Sequence, residues 1–138
     1  MIESYRDLQV WQKAMDFVVA CYQLTRDFPK AETYGLSSQL QRAAVSVPAN
    51  IAEGRSRRQT RVFLHHLSIA YASLTEAETH LQIAERLGYL NRDRLRQMLS
   101  STAEIGRMLN GLIQSLEQRD EKSRSQGRGS DTTNSNDS

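Results

Sequence analysis

The stretch FLHHLSIAYASLTEAETHLQIAERLGY, residues 63–89, decides the fold class. Its small and apolar side chains recur at alternating spacings of four and three, at Phe63, Leu67, Ala70, Leu74, Ala77, Leu81 and Ala84. Since residues three and four apart share one face of an α-helix, this pattern predicts a long helix with a continuous heptad seam. Leu87-Gly88-Tyr89 predicts where the helix ends, because glycine readily takes the left-handed conformation.

Three further segments show helical spacing. The first, residues 7–27, ends at Phe28-Pro29, and its predicted apolar stripe is Leu8, Trp11, Met15, Val18, Tyr22 and Thr25. A second helix is predicted from Leu36, Leu40, Ala44, Val47 and Ile51. Asn91 or Asp93 is expected to cap a fourth helix, with the seam Leu95, Leu99, Thr102, Gly106, Leu109, Ile113 and Leu116.

The helical segments together predict an all-α protein, an antiparallel four-helix bundle with a proline-kinked second helix. No segment alternates polar and apolar residues for long enough to predict a strand. With 138 residues the chain is long enough for one domain, and we assign residues 1–120 to the bundle. Residues 121–138, EKSRSQGRGSDTTNSNDS, contain no apolar side chain, so we expect a disordered C-terminal tail.

Composition predicts a cytoplasmic protein without a membrane segment. The longest apolar run, residues 17–22, is far shorter than the roughly 20 residues of a membrane-spanning helix. The N-terminus MIESYRDL lacks the basic and apolar regions of a signal peptide. A single cysteine, Cys21, fits a reducing compartment, and we expect it to fill space in the core rather than to react.

A proline lies within the second helical pattern. Pro48 removes the amide that would bond to the carbonyl of Ala44, which predicts a bend. One interpretation is a tolerated kink between packed helices. The alternative is a polar notch, formed by the freed carbonyl, Ser46 and Asn50, that receives a ligand or another subunit. Gly54 is expected to end the helix.

Positive charge is concentrated just after this proline. Between residues 36 and 75, Glu53 is the sole carboxylate, whereas five arginines occur there: Arg42, Arg55, Arg57, Arg58 and Arg61. Guanidinium groups form paired, planar hydrogen bonds with phosphate, and a helix N-terminus adds partial positive charge. His65 follows Arg61 on the same predicted helix face. The competing interpretation is a solvated basic loop without a ligand.

Four segments carry a resemblance to a known family: YRDLQVWQKA at 5–14, FPKAETYGLSSQLQRAAVSVPANIAEG at 28–54, FLHHLSIAYASLTEAETHL at 63–81 and LGYL at 87–90. The chain resembles the four-helix-bundle proteins encoded in intervening sequences of bacterial 23S ribosomal RNA genes, over roughly residues 4–116. That family is related to the accessory variability protein of diversity-generating retroelements.

The resemblance implies a ring-like homopentamer. The resemblance also implies a role for a basic surface, which in the retroelement relatives binds RNA and a reverse transcriptase. Two positions depart from the family pattern. His66 replaces an aromatic residue, and Gln59 stands where serine is usual at a helix start, which leaves Ser56 or Thr60 to cap the third helix.

Enzymatic function is not indicated by the sequence. None of its histidines follows the Glu-x-x-His spacing of di-iron bundles, and phosphate-binding loops, nucleophile elbows and Cys-x-x-Cys pairs are absent from it. Glu76 and His80 lie one helical turn apart, but we interpret this face as solvated and expect no metal or cofactor. Its members are Glu76, Glu78, His80 and Glu85.

The sequence therefore predicts a non-enzymatic, oligomeric bundle that binds the backbone of RNA or DNA. The expected contacts are Arg42, Arg55, Arg57, Arg58, Arg61 and His65, and base reading is not expected, since aromatic residues are absent between Arg55 and Arg61. The alternative is an assembly scaffold or protein-interaction ring with a protein partner such as a reverse transcriptase. Val10, Phe17 and Tyr71 lie off the predicted stripes and suggest a second apolar surface for such contacts.

Overall fold

Four α-helices build the protein. A computed structural model describes residues 4–134, with side chains as far as Gln126. The helices are α1 at Gln9–Thr25, α2 at Leu36–Ser56, α3 at Thr60–Arg86 and α4 at Arg92–Asn134, with short 3-10 helices at Tyr5–Asp7 and Lys30–Glu32. Residues 4–134 contain no β-strand, so the predicted all-α, four-helix class is confirmed.

The two central helices bury the residues that their spacing predicts. All seven members of the α3 seam and all five of the predicted α2 stripe lie in the hydrophobic core. Helix α2 packs against α1 and α3, and α4 packs against α3 and α1. The seam of α3 therefore faces both of its neighbours, which is why a heptad pattern identified it so clearly.

The predicted stripe of α1 is only partly confirmed: Leu8 and Thr25 are buried, and Trp11 and Val18 are partly buried against the core. Met15 and Tyr22 are 39% and 45% exposed, and the buried face of this helix is instead Val10, Ala14, Phe17, Cys21 and Leu24. Val10 and Phe17 thus belong to the core and not to a second apolar surface. The helix has apolar residues around most of its circumference, so spacing alone does not select the face that α2 and α4 cover.

In α4 the seam is partly as predicted. Thr102, Gly106, Leu109 and Leu116 are buried, whereas Leu95, Leu99 and Ile113 are only partly buried. Met98 and Ile105 complete the core, at 2% and 1% exposure. The buried face is thus rotated slightly from the predicted one.

Both predicted signals between α3 and α4 are confirmed. Gly88 has a φ of 80°, and the amides of Gly88 and Tyr89 donate to the carbonyls of Glu85 and Ala84. This is the Schellman arrangement, in which a left-handed residue satisfies the last helical carbonyls. The side chain of Asn91 then caps α4, because its Oδ1 accepts the amide of Arg94 at 2.8 Å.

Gly54 does not end α2, contrary to the prediction. The helix continues to Ser56, and Gly54 is buried inside it. A Cβ atom at this position would lie 2.6 Å from Cβ of His66 and 3.1 Å from Cδ1 of Phe63, both in α3. Glycine is therefore needed for the close approach of the two helices, and the left-handed residue lies farther along, at Arg58.

Pairs of contacting residues run in opposite order along α2 and α3. Ser46 meets Ser73, Asn50 meets His66, and Gly54 lies against Phe63. This is the order that antiparallel neighbours have. Pro48 is buried within α2, which continues through it. The bend expected at this proline stays a prediction.

Helix α4 extends through much of the segment assigned to the tail. It reaches Asn134, and the side chains of 121–126 are all exposed. Residues 135–138, and the side chains from 127 onward, lie outside the described residues. A helix satisfies its own amides and carbonyls without apolar contacts, so helical backbone here needs no core. The boundary at residue 120 and the disorder beyond it stay predictions.

Residues 4–134 contain no helix that is both long enough and apolar enough to cross a lipid bilayer. The cytoplasmic location inferred from the sequence stays a prediction.

Candidate nucleic-acid interface

The basic residues lie at a tight turn between two helices. Only Arg57, Arg58 and Gln59 connect the end of α2 to the start of α3, and we call residues 55–61 the α2–α3 corner. Arg58 has a φ of 59°, the left-handed conformation that non-glycine residues adopt at a cost of about 1 kcal/mol. The turn thus holds an arginine side chain where glycine would fit with less strain.

A groove runs beside this corner, between the start of α1 and the last buried turns of α4. It encloses about 820 Å³. Three guanidinium side chains line it, from Arg55, Arg58 and Arg119, together with the polar residues Gln59, Thr60 and Ser115 and the apolar residues Leu8, Phe63, Leu112 and Leu116. We call it the corner groove.

The arginines at this end differ in their ionic partners. Arg57 lies 3.6 Å from Glu53, and Arg61 lies 4.0 Å from Asp120, while Arg124 is 3.4 Å from the same Asp120. Within the part of the chain whose side chains are described, Arg58 and Arg119 form no ion pair. Among residues 4–126, these two exposed guanidinium groups therefore have no neighbouring carboxylate that neutralises them.

The structure brings together only part of the predicted set. Arg55 and Arg58 line the corner groove, and Arg57 and Arg61 lie in the adjacent α2–α3 corner. His65 is exposed one turn beyond Arg61, with its ring 5.7 Å from that of His66. Arg42 does not line the groove, since it lies 13 positions before Arg55 in the same helix, which is about 20 Å at 1.5 Å per residue.

Arg119 is the groove residue that the sequence analysis missed. It follows Leu116, the last member of the predicted α4 seam, by three residues. If α3 and α4 are antiparallel, the end of the α4 seam lies beside the start of α3, as the pair Arg61 and Asp120 illustrates. The signal was present, but it required combining the topology with the charge pattern.

Helix α3 begins without a side-chain cap. Gln59 occupies the N-cap position and makes no capping hydrogen bond from its side chain. Ser56, an expected cap, instead donates its hydroxyl to the carbonyl of Glu53, and Thr60 is already the first helical residue. The cap predicted at Ser56 or Thr60 is therefore wrong, and both residues are used differently at the corner.

The polar groups next to Pro48 are engaged within the chain. Asn50 Nδ2 donates to the carbonyl and hydroxyl oxygens of Ser46, at 2.9 and 3.0 Å. The hydroxyl of Ser46 lies 2.8 Å from that of Ser73, and Asn50 Oδ1 lies 3.0 Å from Nδ1 of His66. These bonds join α2 to α3, which favours a structural interpretation of Ser46 and Asn50 over a ligand notch.

Candidate catalytic or metal-binding groups are sparse. Residues 4–126 hold no group of three or more His, Cys, Asp or Glu side chains suited to a metal ion. His80 was expected on the solvated face of α3 but is buried, with Nε2 3.5 Å from Oε1 of Glu76. Glu78 also turns inward and accepts a hydrogen bond from the buried Thr102 at 2.7 Å. The hydrogen bond to Thr102 places Glu78 against α4.

Cys21 fills the core as the sequence analysis expected. Its side chain is fully buried, and this burial raises the pKa of the thiol to about 12, despite an opposing effect of Arg94. The reactive form of cysteine is the thiolate, so the environment disfavours nucleophilic or redox chemistry at this residue.

Fold and site together define a small all-helical protein with a basic groove at one end of its bundle. The chain belongs to the 23S rRNA intervening sequence protein family, whose sequence model matches residues 6–111. The match includes the α2–α3 corner and ends just before Leu112. The resemblance seen in the sequence is confirmed for this family, whereas the link to retroelement accessory proteins stays a prediction.

A solved structure is similar over most of its length. It is the crystal structure of a protein of unknown function from the S23 ribosomal protein family of Bacteroides thetaiotaomicron VPI-5482. The two chains are 25% identical, with a TM-score of 0.68, and the similarity covers 75% of this chain and 97% of the other. No match was found among curated proteins.

Proposed function

We propose that the protein is a non-enzymatic, oligomeric bundle that binds RNA or DNA by its phosphate backbone at the α2–α3 corner. One observation carries the proposal: Arg58 is held in a left-handed conformation beside Arg55 and Arg119, in one groove. Strained backbone positions cluster at functional sites, and this one directs a guanidinium group into a region of like charge. The expected location of such a protein is the cytoplasm.

The chemistry of the corner fits phosphate. Guanidinium groups give two parallel hydrogen bonds to phosphate oxygens, and they stay charged at every physiological pH. Arg57 and Glu53 form an exposed pair at 3.6 Å, and Arg61 is exposed at 4.0 Å from the partly buried Asp120. Both are long contacts of exposed arginines, which a polyanion can displace. Arg58 and Arg119 are therefore expected to supply the larger share of the affinity, with Arg55 beside them.

The family name supports RNA rather than another polyanion as the first candidate, since these proteins are named for an insertion in a ribosomal RNA. Assembly would multiply the effect. A homopentamer, as the resemblance implies, presents five copies of the corner, and linked sites bind far more tightly than one through their effective concentration. We therefore expect a tight complex only with a nucleic acid long enough to reach several corners.

The test is a salt titration of labelled RNA and DNA. For a protein that neutralises phosphates, the logarithm of the binding constant falls with that of the salt concentration, by about 0.7 per phosphate for single strands and 0.9 for duplex DNA. Replacing Arg55, Arg57, Arg58 and Arg61 by Gln should weaken binding to all sequences and make the slope shallower. Folding and the mass of the assembly should be retained, because three of these arginines are exposed, Arg55 is only partly buried, and surface substitutions cost little stability.

A matched control removes the same charge from the other end of the bundle. Its four exposed arginines lie at the end of α1, the end of α3 and the start of α4: Arg26, Arg86, Arg92 and Arg96. Their replacement by Gln should leave most of the affinity and slope. Equal losses in the two quadruple variants would reduce the effect to net charge, and wild-type binding without salt dependence would refute the proposal.

A second candidate, an assembly scaffold with a protein partner, is favoured by the outer face of α1. Met15, Val19 and Tyr22 recur at helical spacing and are 39%, 54% and 45% exposed. Such a row of apolar side chains is typical of a protein-contact surface. Val19→Lys should lower the mass of the assembly in light scattering, or abolish binding to a reverse transcriptase partner. The helix content should stay unchanged. A variant with unaltered mass and unaltered partner binding would argue against this role.

A further inference from the structure

The corner groove has two chemically different surfaces. Its arginines come from both sides, with Arg55 and Arg58 at the corner and Arg119 on α4, while its floor is apolar. The floor of the groove consists of Leu8, Phe63, Leu112 and Leu116. Leu8, Phe63 and Leu116 keep 7–8% exposure, whereas Leu67 and Leu81, deeper along α3, are fully buried. Core residues at the opposite end, such as Leu24 and Leu36, keep the same 8% exposure, so the partly buried Leu112 is the apolar residue that this groove exposes most.

A basic surface that binds only a regular duplex needs no apolar floor in its groove. In a duplex the nucleobases are stacked inside, and the protein meets phosphates and sugars on the outside. An unpaired nucleotide instead offers a phosphate and an apolar base face only a few ångströms apart. The volume of about 820 Å³ is within the range of cavities that hold small organic ligands, so one nucleotide fits.

We infer that the corner groove binds single-stranded nucleic acid, with one unpaired base against Phe63 and Leu112 and the adjoining phosphates on Arg58 and Arg119. This inference rests on the proposed function and names the form of nucleic acid that it favours. Phe63 keeps only 8% exposure, so the base contacts Leu112 and the small exposed part of Phe63. Apolar contact of this kind tolerates any base, so the preference is for strandedness and not for sequence. Phe63 lies in α3 just after the arginine corner, outside the interval from Arg55 to Arg61 that lacks aromatic residues.

The position of Arg119 supports this assignment. Arg58 and Arg119 approach the groove from opposite elements, and neither forms an ion pair within the described side chains. A strand lying between them would place successive phosphates on the two guanidinium groups. The base of the nucleotide between them would then face inward, toward the apolar residues of the groove floor.

The decisive experiment uses three oligonucleotides of equal length with the intact protein: a single strand, the same strand in a duplex, and an abasic strand that keeps every phosphate. One base stacked on an open aromatic ring is worth about 1–3 kcal/mol, and Phe63 is largely buried, so we expect the abasic strand to bind about 5-fold more weakly than the normal strand, the lower end of that range. The salt slopes of the two strands should agree, because their phosphates are the same. The duplex should bind more weakly than the normal strand at equal salt.

Failure of this inference is distinguishable from failure of the proposed function. If all three ligands bind with equal affinity and clear salt dependence, backbone binding stands and the base site is wrong. If none binds with salt dependence, the proposed function fails first. Competition by an acidic peptide or an anionic lipid vesicle that displaces the strand while the abasic strand binds equally well would assign the groove to that other ligand.

Two variants of α4 test where the nucleotide base binds. Leu112 is only partly buried in α4, so Leu112→Gln makes the floor of the groove polar while keeping a side chain of similar size there. It should reduce the difference between normal and abasic strands without changing the salt slope. Leu95→Gln, a partly buried leucine of the same helix near its other end, should leave that difference intact. An undiminished difference in Leu112→Gln would overturn the placement. The three-ligand comparison on the wild type is independent of whether either variant folds.

Discussion

Gly54 of α2 and His66 of α3 pack so closely that a methyl group on Gly54 would lie 2.6 Å from Cβ of His66. Contacts this short do not occur between real Cβ atoms, so the helices must separate to admit any side chain. In an isolated helix, alanine is favoured over glycine by about 1 kcal/mol. At this crossing we expect the opposite sign.

Gly54→Ala should lower the free energy of unfolding by about 1–3 kcal/mol, the usual range for overpacking. Chemical denaturation measures it. Gly111 of α4 is the control, because nothing lies within 4 Å of an added Cβ there. Gly111→Ala should therefore raise the stability by up to about 1 kcal/mol. A stabilised Gly54→Ala variant would contradict the close approach.

Arg58→Gly separates the strain of the corner from its function. Glycine adopts a φ of 59° freely, so removal of the side chain should leave the stability unchanged or raise it by up to about 1 kcal/mol. Binding to a single-stranded oligonucleotide should nevertheless weaken, with a shallower salt slope. Thermal or chemical unfolding and a salt titration give the two results.

The comparison for this prediction is Arg58→Ala, which removes the same guanidinium group but keeps a Cβ in the left-handed conformation. We expect the two variants to lose nucleic-acid affinity equally and to differ in stability by about 1 kcal/mol. Wild-type affinity in either variant would assign the strained arginine to a purely structural role.

Cys21 predicts a loss of stability in alkaline solution. An unfolded thiol ionises near pH 9.0, whereas burial holds the pKa of the folded thiol at about 12. Between these values the unfolded state releases a proton that the folded state retains, so stability falls as pH rises, by up to about 1.4 kcal/mol per pH unit. The contribution is fully present below pH 9.0.

The control for the alkaline effect is Cys21→Ala, which lacks the thiol and should show a smaller decrease over the same pH range. Denaturant unfolding of both proteins, compared at each pH, isolates the contribution of one group. Rapid modification of the folded protein by a thiol reagent at neutral pH would contradict the burial on which the prediction depends.

Deletion of residues 121–138 should shift the thermal midpoint by no more than a few degrees. The described side chains of this segment are exposed, and a segment that buries no apolar surface contributes little to unfolding. Leu116→Ala, just before it, removes a buried side chain and should cost about 2–5 kcal/mol. A large shift on deletion would mean that the end of α4 docks elsewhere.

Sequence patterns identified the fold through residues whose environment is two-sided. The α3 seam and the α2 stripe lie between other helices, so each apolar position has a partner and the spacing is unambiguous. Helix α1 shows the limit. Met15, Val19 and Tyr22 are as apolar as the buried Ala14 and Cys21, so hydrophobicity alone does not exclude the exposed face. Which face is covered depends on neighbours that spacing in one helix does not contain.

The site was predictable where it is contiguous in sequence and not where it is assembled by the fold. Four arginines between residues 55 and 61 mark the corner in the sequence. Arg119 joins them only because α4 returns to the same end, and Arg42 is excluded because a helix carries it about 20 Å away. Gly54 was misassigned because close helix packing and helix termination both favour glycine.

The short connection between α2 and α3 bears on the order of folding. Three residues close the loop, so bringing these helices together costs little chain entropy, whereas the contacts of α1 with α4 join segments about 90 residues apart. We expect the α2–α3 hairpin to form in the transition state, before α4 docks. On a ribosome the arginine corner would then be assembled while the last helix is still being synthesised, and the nascent chain would meet nucleic acid before the groove is complete.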